Sequence, residues 1–216
     1  MNPESRRTRR SGEMMSKTGI IRSYYEPKLD GNLPDFEKLG WESAEAQALR
    51  FAAFVDNADL EGKSILDVGC GLGNLLEYLT MKNISVKYTG VDILPRMIDC
   101  AKDKKICGEF HCVDIFRDNP FGDKSFDAVY ASGIFNLNLG NNHEFFLDAL
   151  CRFSHIAREV IAFNLLDHRS PDKEDEYFYF SAGEVIDLIE STSCRPKKVQ
   201  IIEQYLQNDF TVICRL

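Results

Sequence analysis

The sequence predicts an α/β protein: a three-layer α/β/α sandwich whose seven-stranded sheet is mostly parallel and ends in an antiparallel C-terminal hairpin. Apolar segments of strand length alternate five times with amphipathic helical segments, which is typical of βα units in a parallel sheet. The last two apolar segments, residues 198–205 and 209–215, are separated by three residues. A parallel pair needs a long crossover, so these two strands are expected to form a hairpin.

The first elements follow from spacing and from residues that end strands or begin helices. A helix is predicted over residues 42–57, where small and apolar residues recur at helical spacing. The first strand ends at Asp67, and a helix follows over 74–82. A second strand ends at Asp92, and Pro95 opens the next helix, where its missing N–H is not needed. The inner face of the helix over 42–57 is expected to hold Ala44, Ala48, Phe51, Ala52 and Val55.

The later elements continue the alternation. Ser181, with Glu184 three residues on, forms a capping-box pattern that predicts a helix over 181–191. The remaining predicted elements are strands at 110–115, 126–131 and 160–166 and a helix at 144–157. Residues 20–41 show the least regular pattern.

Composition is that of a single domain. The chain has 216 residues, 44% hydrophobic and 28% charged. No apolar run approaches the ~18–20 residues of a membrane helix. The seven cysteines include no C-x-x-C pair, so neither structural zinc nor a disulfide framework is expected, and no metal ligand is assigned. Free cysteines suit a reducing compartment, so a cytoplasmic location is expected. The protein is expected to be a monomer or a homodimer.

Charge is distributed unevenly. Residues 1–28 hold seven of the 26 basic and three of the 34 acidic residues, which leaves 19 basic and 31 acidic residues, a net charge of −12, in the rest. An acidic body argues against nucleic acid as a partner of the main domain. The Arg-rich run within residues 5–10 is either a nucleic-acid contact or, as we favour, part of a disordered tail over 1–18.

The most informative motif is a glycine loop between a strand and a helix. Gly69, Gly71 and Gly73 alternate after the strand that ends in Asp67. A dinucleotide fingerprint requires G-x-G-x-x-G, and its third glycine position is Asn74 in this chain. The G-x-G-x-G pattern with an acid two residues before it resembles motif I of the class I S-adenosylmethionine (SAM)-dependent methyltransferases.

The resemblance covers roughly residues 40–216 and implies SAM as cofactor. It implies that Asp92, at the tip of the second strand, binds the ribose hydroxyls, and no structural partner is expected for this carboxylate. It also implies that Asp114 accepts the adenine amino group. The full set of residues that the resemblance places at SAM is Asp67, Gly69, Cys70, Gly71, Gly73, Asp92, Ile93, Met97, Asp114, Ile115, Ala131 and Ser132.

The segment before the first strand is expected to form a lid. In resembling enzymes this segment folds over SAM, which places residues 19–60 as lid and helices and 61–216 as the SAM-binding core. Tyr24, Tyr25 and Trp41 are expected at the pocket. Arg50 is expected to pair with the SAM carboxylate, because a guanidinium matches that geometry; a helix-surface charge is the alternative.

No single catalytic residue stands out. A base near the acceptor is needed only where the acceptor must lose a proton. The candidates are His143, Tyr24, Tyr25 and Asn136, and a capping or surface role is at least as good an account of His143.

The sequence therefore predicts a SAM-dependent methyltransferase acting on a small molecule. The strand over 126–131 and the loop over 132–138 resemble motif IV of the same family, which lies beside the transferred methyl group. They lack the Asn/Asp-Pro-Pro-aromatic tetrapeptide of enzymes that methylate exocyclic amines of bases. Two alternatives stay open. One is an RNA or protein methyltransferase that docks through the Arg-rich tail, and the other is a SAM-binding module without catalysis.

Overall fold

The computed structural model describes residues 16–216, which form seven helices and seven strands. The Arg-rich run at residues 5–10 lies outside these described residues. The helices are α1 (Lys17–Leu29), α2 (Asp35–Lys38), α3 (Ala44–Val55), α4 (Asn74–Met81), α5 (Pro95–Asp103), α6 (Asn142–Ile156) and α7 (Ala182–Ser191). The strands are β1 (Ser64–Val68), β2 (Lys87–Asp92), β3 (Glu109–Cys112), β4 (Phe126–Ser132), β5 (Ala157–Leu166), β6 (Lys198–Ile202) and β7 (Asp209–Arg215).

The strands form one sheet in the order β3-β2-β1-β4-β5-β7-β6. The first five strands are mutually parallel, and β7 runs antiparallel to both β5 and β6. The predicted fold class is thereby confirmed, including the closing antiparallel pair. The chain winds outwards from β1 to β3 and then returns to β4 on the other side of β1. In open α/β sheets this reversal leaves a crevice at the carboxyl ends of the two central strands, where ligands bind.

Apolar side chains fill both faces of the sheet. One buried cluster centres on α6 and α7 and includes Phe146, Phe153 and Phe163, and the other lies under α3, α4 and α5. Burial on both faces explains why the central strands are almost continuously apolar. The capping box at α7 is present, with the Ser181 hydroxyl accepting from the Glu184 N–H and the Glu184 carboxylate accepting from the Ser181 N–H.

Two sequence predictions about the elements are wrong. The segment 20–41, expected to be the least regular, begins within α1, a helix over Lys17–Leu29 that tolerates Pro27 near its end. The predicted last hairpin is also too tight, because β6 ends at Ile202 and residues 203–208 form a loop. The β-branched and aromatic residues up to Tyr205 favour a strand, but Tyr205 instead donates or accepts a 2.8 Å hydrogen bond with the Thr211 hydroxyl across that loop.

Among residues 16–216 no helix has both the length and the apolar character needed to cross a membrane. The same residues hold no cluster of His, Cys, Asp and Glu side chains that would bind a metal ion.

Candidate functional site

A cavity of about 390 Å³ opens at the carboxyl ends of β1, β2 and β4, where the strand order reverses. Its floor is the loop after β1, and one wall comes from the turns after β2 and β3. Residues of α1 cover it, with Ile21 and Tyr25 turned inward. This volume lies within the ~300–1,000 Å³ of small-ligand sites.

The glycine loop requires conformations that other residues adopt only with strain. Gly69, Gly71 and Gly73 have φ of +74°, +52° and +76°. A Cβ on Gly71 would also lie 2.7 Å from Leu39 Cδ2, so the loop packs too closely against the cover for a side chain. Glycines are therefore needed here for a turn that keeps the cavity open.

The loop N–H groups are already used within the protein. The N–H groups of Gly69 and Cys70 both donate to the Val91 carbonyl oxygen, at 2.8 and 3.0 Å. The Gly71 N–H donates to Asp92 Oδ2 at 3.0 Å. These bonds tie the loop to β2, and they use all three N–H groups within the protein.

Asp67 lies at the end of β1 and lines the cavity, with only 4% of its surface exposed. Its Oδ2 accepts a 2.6 Å hydrogen bond from the Tyr88 hydroxyl. Burial raises the pKa of Asp67 to about 7, and the negative field of Asp92 adds to the rise. With a pKa near neutral pH, about half of the Asp67 carboxyl groups are ionised, and a positive ligand group beside Asp67 would favour the ionised form.

Asp92 is held by two backbone N–H groups at the tip of β2. Its Oδ2 accepts from Gly71 and its Oδ1 accepts from Leu94 at 2.9 Å. Burial nevertheless raises its pKa to about 6. The expectation that this carboxylate has no structural partner is wrong, because it links the glycine loop to the turn after β2.

Most residues that the resemblance placed at SAM share the cavity wall. Asp114, after β3, accepts the Phe116 N–H at 3.0 Å with Oδ1. The members of the set that line the cavity are Asp67, Gly69, Cys70, Gly71, Asp92, Ile93, Met97, Asp114, Ile115 and Ser132.

Gly73 and Ala131 are not brought to the cavity. A Cβ on Gly73 would lie 3.0 Å from the Phe110 ring, so this glycine permits close packing of α4 on β3 instead. Ala131 is fully buried within β4, paired with Val68 and Phe163. In this structure both positions therefore serve packing, and neither belongs to the cavity wall.

Arg50 is likewise not brought to the cavity wall. Its guanidinium is 2% exposed and forms a two-pronged ion pair with Asp209 of β7, with Nε 3.0 Å from Oδ1. Its Cζ also lies 4.4 Å from the centre of the Trp41 ring. The ion pair uses Nε and Nη2, and Arg50 is not among the residues that line the cavity, so the structure gives no support to the predicted pairing with a ligand.

Of the four candidate bases, only Tyr25 lines the cavity. The Tyr24 hydroxyl is bonded to that of Tyr177 at 2.5 Å. Asn136 is buried behind the cavity wall, and His143 Nε2 lies 2.7 Å from Glu184 Oε1 on the outer side of α6. The structure thus gives no support to Tyr24, Asn136 or His143 as groups that reach a substrate.

One polar residue that the sequence reasoning missed does face the cavity. Gln47 of α3 is 6% exposed and lies in the cavity wall with Trp41, Phe51 and Tyr130. The sequence offered a signal for it: Gln47 precedes Arg50, Phe51 and Phe54 by three, four and seven residues, which is the spacing of one helical face.

The known proteins to which the chain is similar are methyltransferases. A family model described as a methyltransferase domain matches residues 65–154, which include the glycine loop, β2, β3 and β4. A protein of Mycobacterium tuberculosis described as a methyltransferase, Rv1506c, is 29% identical over 164 residues, which cover 70% of this chain and 92% of that protein. A fatty-acid O-methyltransferase of Mycolicibacterium smegmatis is 38% identical over 87 residues, covering 40% of this chain but only 29% of that enzyme.

A solved structure shares the fold. Magnesium protoporphyrin IX methyltransferase from Synechocystis, crystallised with bound SAM, superposes with a TM-score of 0.64 at 14% identity, over 95% of this chain and 99% of that one. Similarity in sequence across the ligand loop, together with the strand order and the cavity at its reversal, supports a class I SAM-dependent methyltransferase.

Proposed function

We propose that the chain transfers the methyl group of SAM to a small acceptor with a largely apolar body. The observation that carries the proposal is the continuity of one cavity from Asp92 and Asp114, past the glycine loop, to apolar side chains of α1 and of the segment after β4. The apolar residues at that end are Ile21, Ile134, Leu137, Leu139 and Phe145.

The cavity residues fit the cofactor group by group. In this proposal Asp92 accepts the ribose hydroxyls and Asp114 accepts the adenine amino group, and both residues line the cavity. Ile93, Met97 and Ile115 supply apolar surface for the adenine ring. The glycine loop leaves room for the methionine part, whose ammonium group would keep Asp67 ionised despite its burial.

The chemistry requires alignment more than proton transfer. Bound SAM supplies a methyl group on a positively charged sulfur; the carbon–sulfur bond breaks, its electrons stay on sulfur, and an acceptor lone pair forms the new bond. Alignment of two reactants can lower a barrier by ~7–11 kcal/mol. All four histidines, at positions 111, 143, 155 and 168, lie outside the cavity, and an ionised acceptor needs no base.

The test is transfer of labelled methyl from SAM to fractionated acceptors. The protein is incubated with methyl-labelled SAM and with an apolar metabolite extract, total RNA or denatured protein, and the Gly71→Val variant serves as the inactive control. We expect label in small molecules that partition into organic solvent. Label only in RNA or in protein would contradict the small-molecule proposal.

Removing residues 1–15 tests the alternative that the protein docks on RNA or protein through the Arg-rich tail. We expect this truncation to leave transfer to small molecules unchanged, since the segment has no apolar pattern to bury. SAM binding without methyl transfer to any fraction would instead favour a non-catalytic binding module.

A further inference from the structure

Two of the seven free cysteines are brought together by the fold, although they are far apart in the sequence. Cys151 lies in α6, and Cys194 lies in the turn between α7 and β6. Both side chains are partly exposed, so dissolved reagents can reach them. Neither residue lines the cavity, and the proposed methyl transfer therefore makes no use of this pair.

Thr192, the residue at which α7 ends, contacts both cysteines with the same oxygen atom. Its Oγ1 lies 3.2 Å from Cys151 Sγ, and it accepts the Cys194 N–H at 3.2 Å. The backbone nitrogen of Cys194 is therefore no farther from Cys151 Sγ than the sum of these two distances, 6.4 Å. The turn is also held from its other side, because Arg195 Nε donates to the Thr192 carbonyl oxygen at 3.1 Å.

The two thiols also influence each other. Burial raises the pKa of the Cys151 thiol, and hydrogen bonding with the Cys194 side chain adds to the rise. An effect of this kind requires neighbouring side chains, in agreement with the contacts that Thr192 makes with both residues.

The local structure allows the two sulfur atoms to approach each other. A disulfide needs the Cβ atoms about 3.5–4.5 Å apart and the sulfur atoms about 2 Å apart. Cys194 belongs to a turn rather than to a helix, so rotation of its side chain and a small shift of the turn can bring its sulfur to Cys151. Both helices keep their places during this movement, because α6 and α7 are anchored in the buried cluster by Phe153 and Ile189.

We propose that Cys151 and Cys194 form an oxidation site, at which a reversible disulfide joins the end of α7 to α6. The oxidant is a low-molecular-weight disulfide of the glutathione type. One cysteine sulfur attacks this disulfide and releases one small thiol, and the second cysteine sulfur then displaces the other. The two cysteines are oxidised, the small disulfide is reduced to two thiols, and the two cysteine protons pass to those thiols. In a reducing compartment both cysteines stay thiols, so no permanent disulfide framework is implied.

Oxidation of the folded, full-length chain tests the proposal. The protein is incubated with glutathione disulfide, the remaining thiols are blocked with iodoacetamide, and the digest is analysed by mass spectrometry for a peptide pair linked through Cys151 and Cys194. We expect the linked pair together with a rise of roughly 4–16 °C in the thermal midpoint, because the bond closes a long loop in the unfolded chain. Dithiothreitol should reverse both changes.

Cys151→Ser and Cys194→Ser each remove one partner and keep a side chain of similar size. Each variant should lose the linked pair and the reversible rise in the thermal midpoint, and its remaining cysteine should carry glutathione instead. Cys100→Ser is the matched control, because it removes an exposed cysteine of α5 and should leave both readouts as they are in the unchanged protein. Thermal unfolding of the reduced variants checks that all three are folded.

Three results would overturn the proposal. The first is an unchanged protein in which Cys151 and Cys194 stay unmodified, and the second is one in which they carry glutathione without the linked pair. The third is a linked pair with an unchanged or lowered thermal midpoint. None of these readouts uses SAM or an acceptor, so the oxidation site and the proposed methyl transfer are tested independently.

Discussion

Replacing Asp92 by alanine is expected to lower the affinity for the cofactor and also the stability of the ligand-free protein. In the ligand-free protein the carboxylate accepts two backbone N–H groups, from Gly71 and Leu94, at 3.0 and 2.9 Å. In the proposed complex the same carboxylate also accepts the ribose hydroxyls. Alanine removes both sets of hydrogen bonds.

The two effects have different sizes. A hydrogen bond to a charged group contributes roughly 1.5–3 kcal/mol, which corresponds to about ten- to a hundredfold in the affinity for S-adenosylhomocysteine (SAH). Losing the two backbone contacts leaves buried N–H groups at the loop, and each unsatisfied group costs about 1–3 kcal/mol unless water replaces the carboxylate. The two groups together cost about 2–6 kcal/mol, which for a domain of this size corresponds to a fall of roughly 4–24 °C in the thermal midpoint.

Calorimetry with SAH and thermal unfolding without ligand measure both effects on one protein sample. Asp99→Ala is the control, because Asp99 is an exposed acid on α5 that does not line the cavity. Asp92→Asn should fall between the unchanged protein and Asp92→Ala, since it retains one carbonyl oxygen as acceptor. A variant with a lowered midpoint but normal SAH affinity per folded molecule would refute the ribose role and leave Asp92 as a loop anchor only.

Three further predictions follow from the site and its surroundings. SAH affinity should fall as the pH is lowered from 8 to 5.5. Burial raises the pKa of Asp67 to about 7 and of Asp92 to about 6, and both must be deprotonated to accept ligand hydrogen bonds. A flat calorimetric profile over this pH range would contradict the prediction. Gly71→Val should abolish SAH binding, because its side chain would collide with Leu39 at a φ of +52°, whereas Gly122→Val, in open space, should not. Arg50→Ala should lower the free energy of unfolding by about 3–5 kcal/mol in denaturant titrations, since it leaves Asp209 buried without a partner. Lys63→Ala, which breaks an exposed pair with Glu159, should change it little, and similar effects of the two variants would refute the distinction.

The strands and the acidic residues at their ends could be predicted because the same residues determine both the fold and the site. A parallel sheet places every strand end with the same polarity at one edge, so Asp67, Asp92 and Asp114 had to converge once their strands were located. Glycine at positive φ after β1 then fixed the kind of loop. Local sequence carries all of this information.

The cover of the cavity could not be predicted in the same way. The helix α1 has no fully buried residue and little amphipathic pattern, and it contains Pro27. Its contacts are to distant parts of the chain. The Tyr24 hydroxyl forms a hydrogen bond with that of Tyr177, and Arg96 donates a hydrogen bond to Asp30, just after the helix. Such tertiary contacts stabilise a helix that its own sequence does not specify.

The buried face of α3 was predicted only in part, because polar residues lie on it. The sequence reading assigned the inner face to Ala44, Ala48, Phe51, Ala52 and Val55, because that face is wholly apolar, yet Ala44 is exposed and Ala48 only half-buried. The face that is buried runs through Gln47, Arg50, Phe51 and Phe54 and includes two polar residues. Alanine contributes little hydrophobic surface, so alanines indicate poorly which face of a helix is buried. The rings of Phe51 and Phe54 bury more surface and fix the orientation of the helix. Each polar residue on this face then needs a partner. Arg50 has one in Asp209, and Gln47 turns to the cavity, so the buried face of α3 serves both the interior of the protein and the cavity wall.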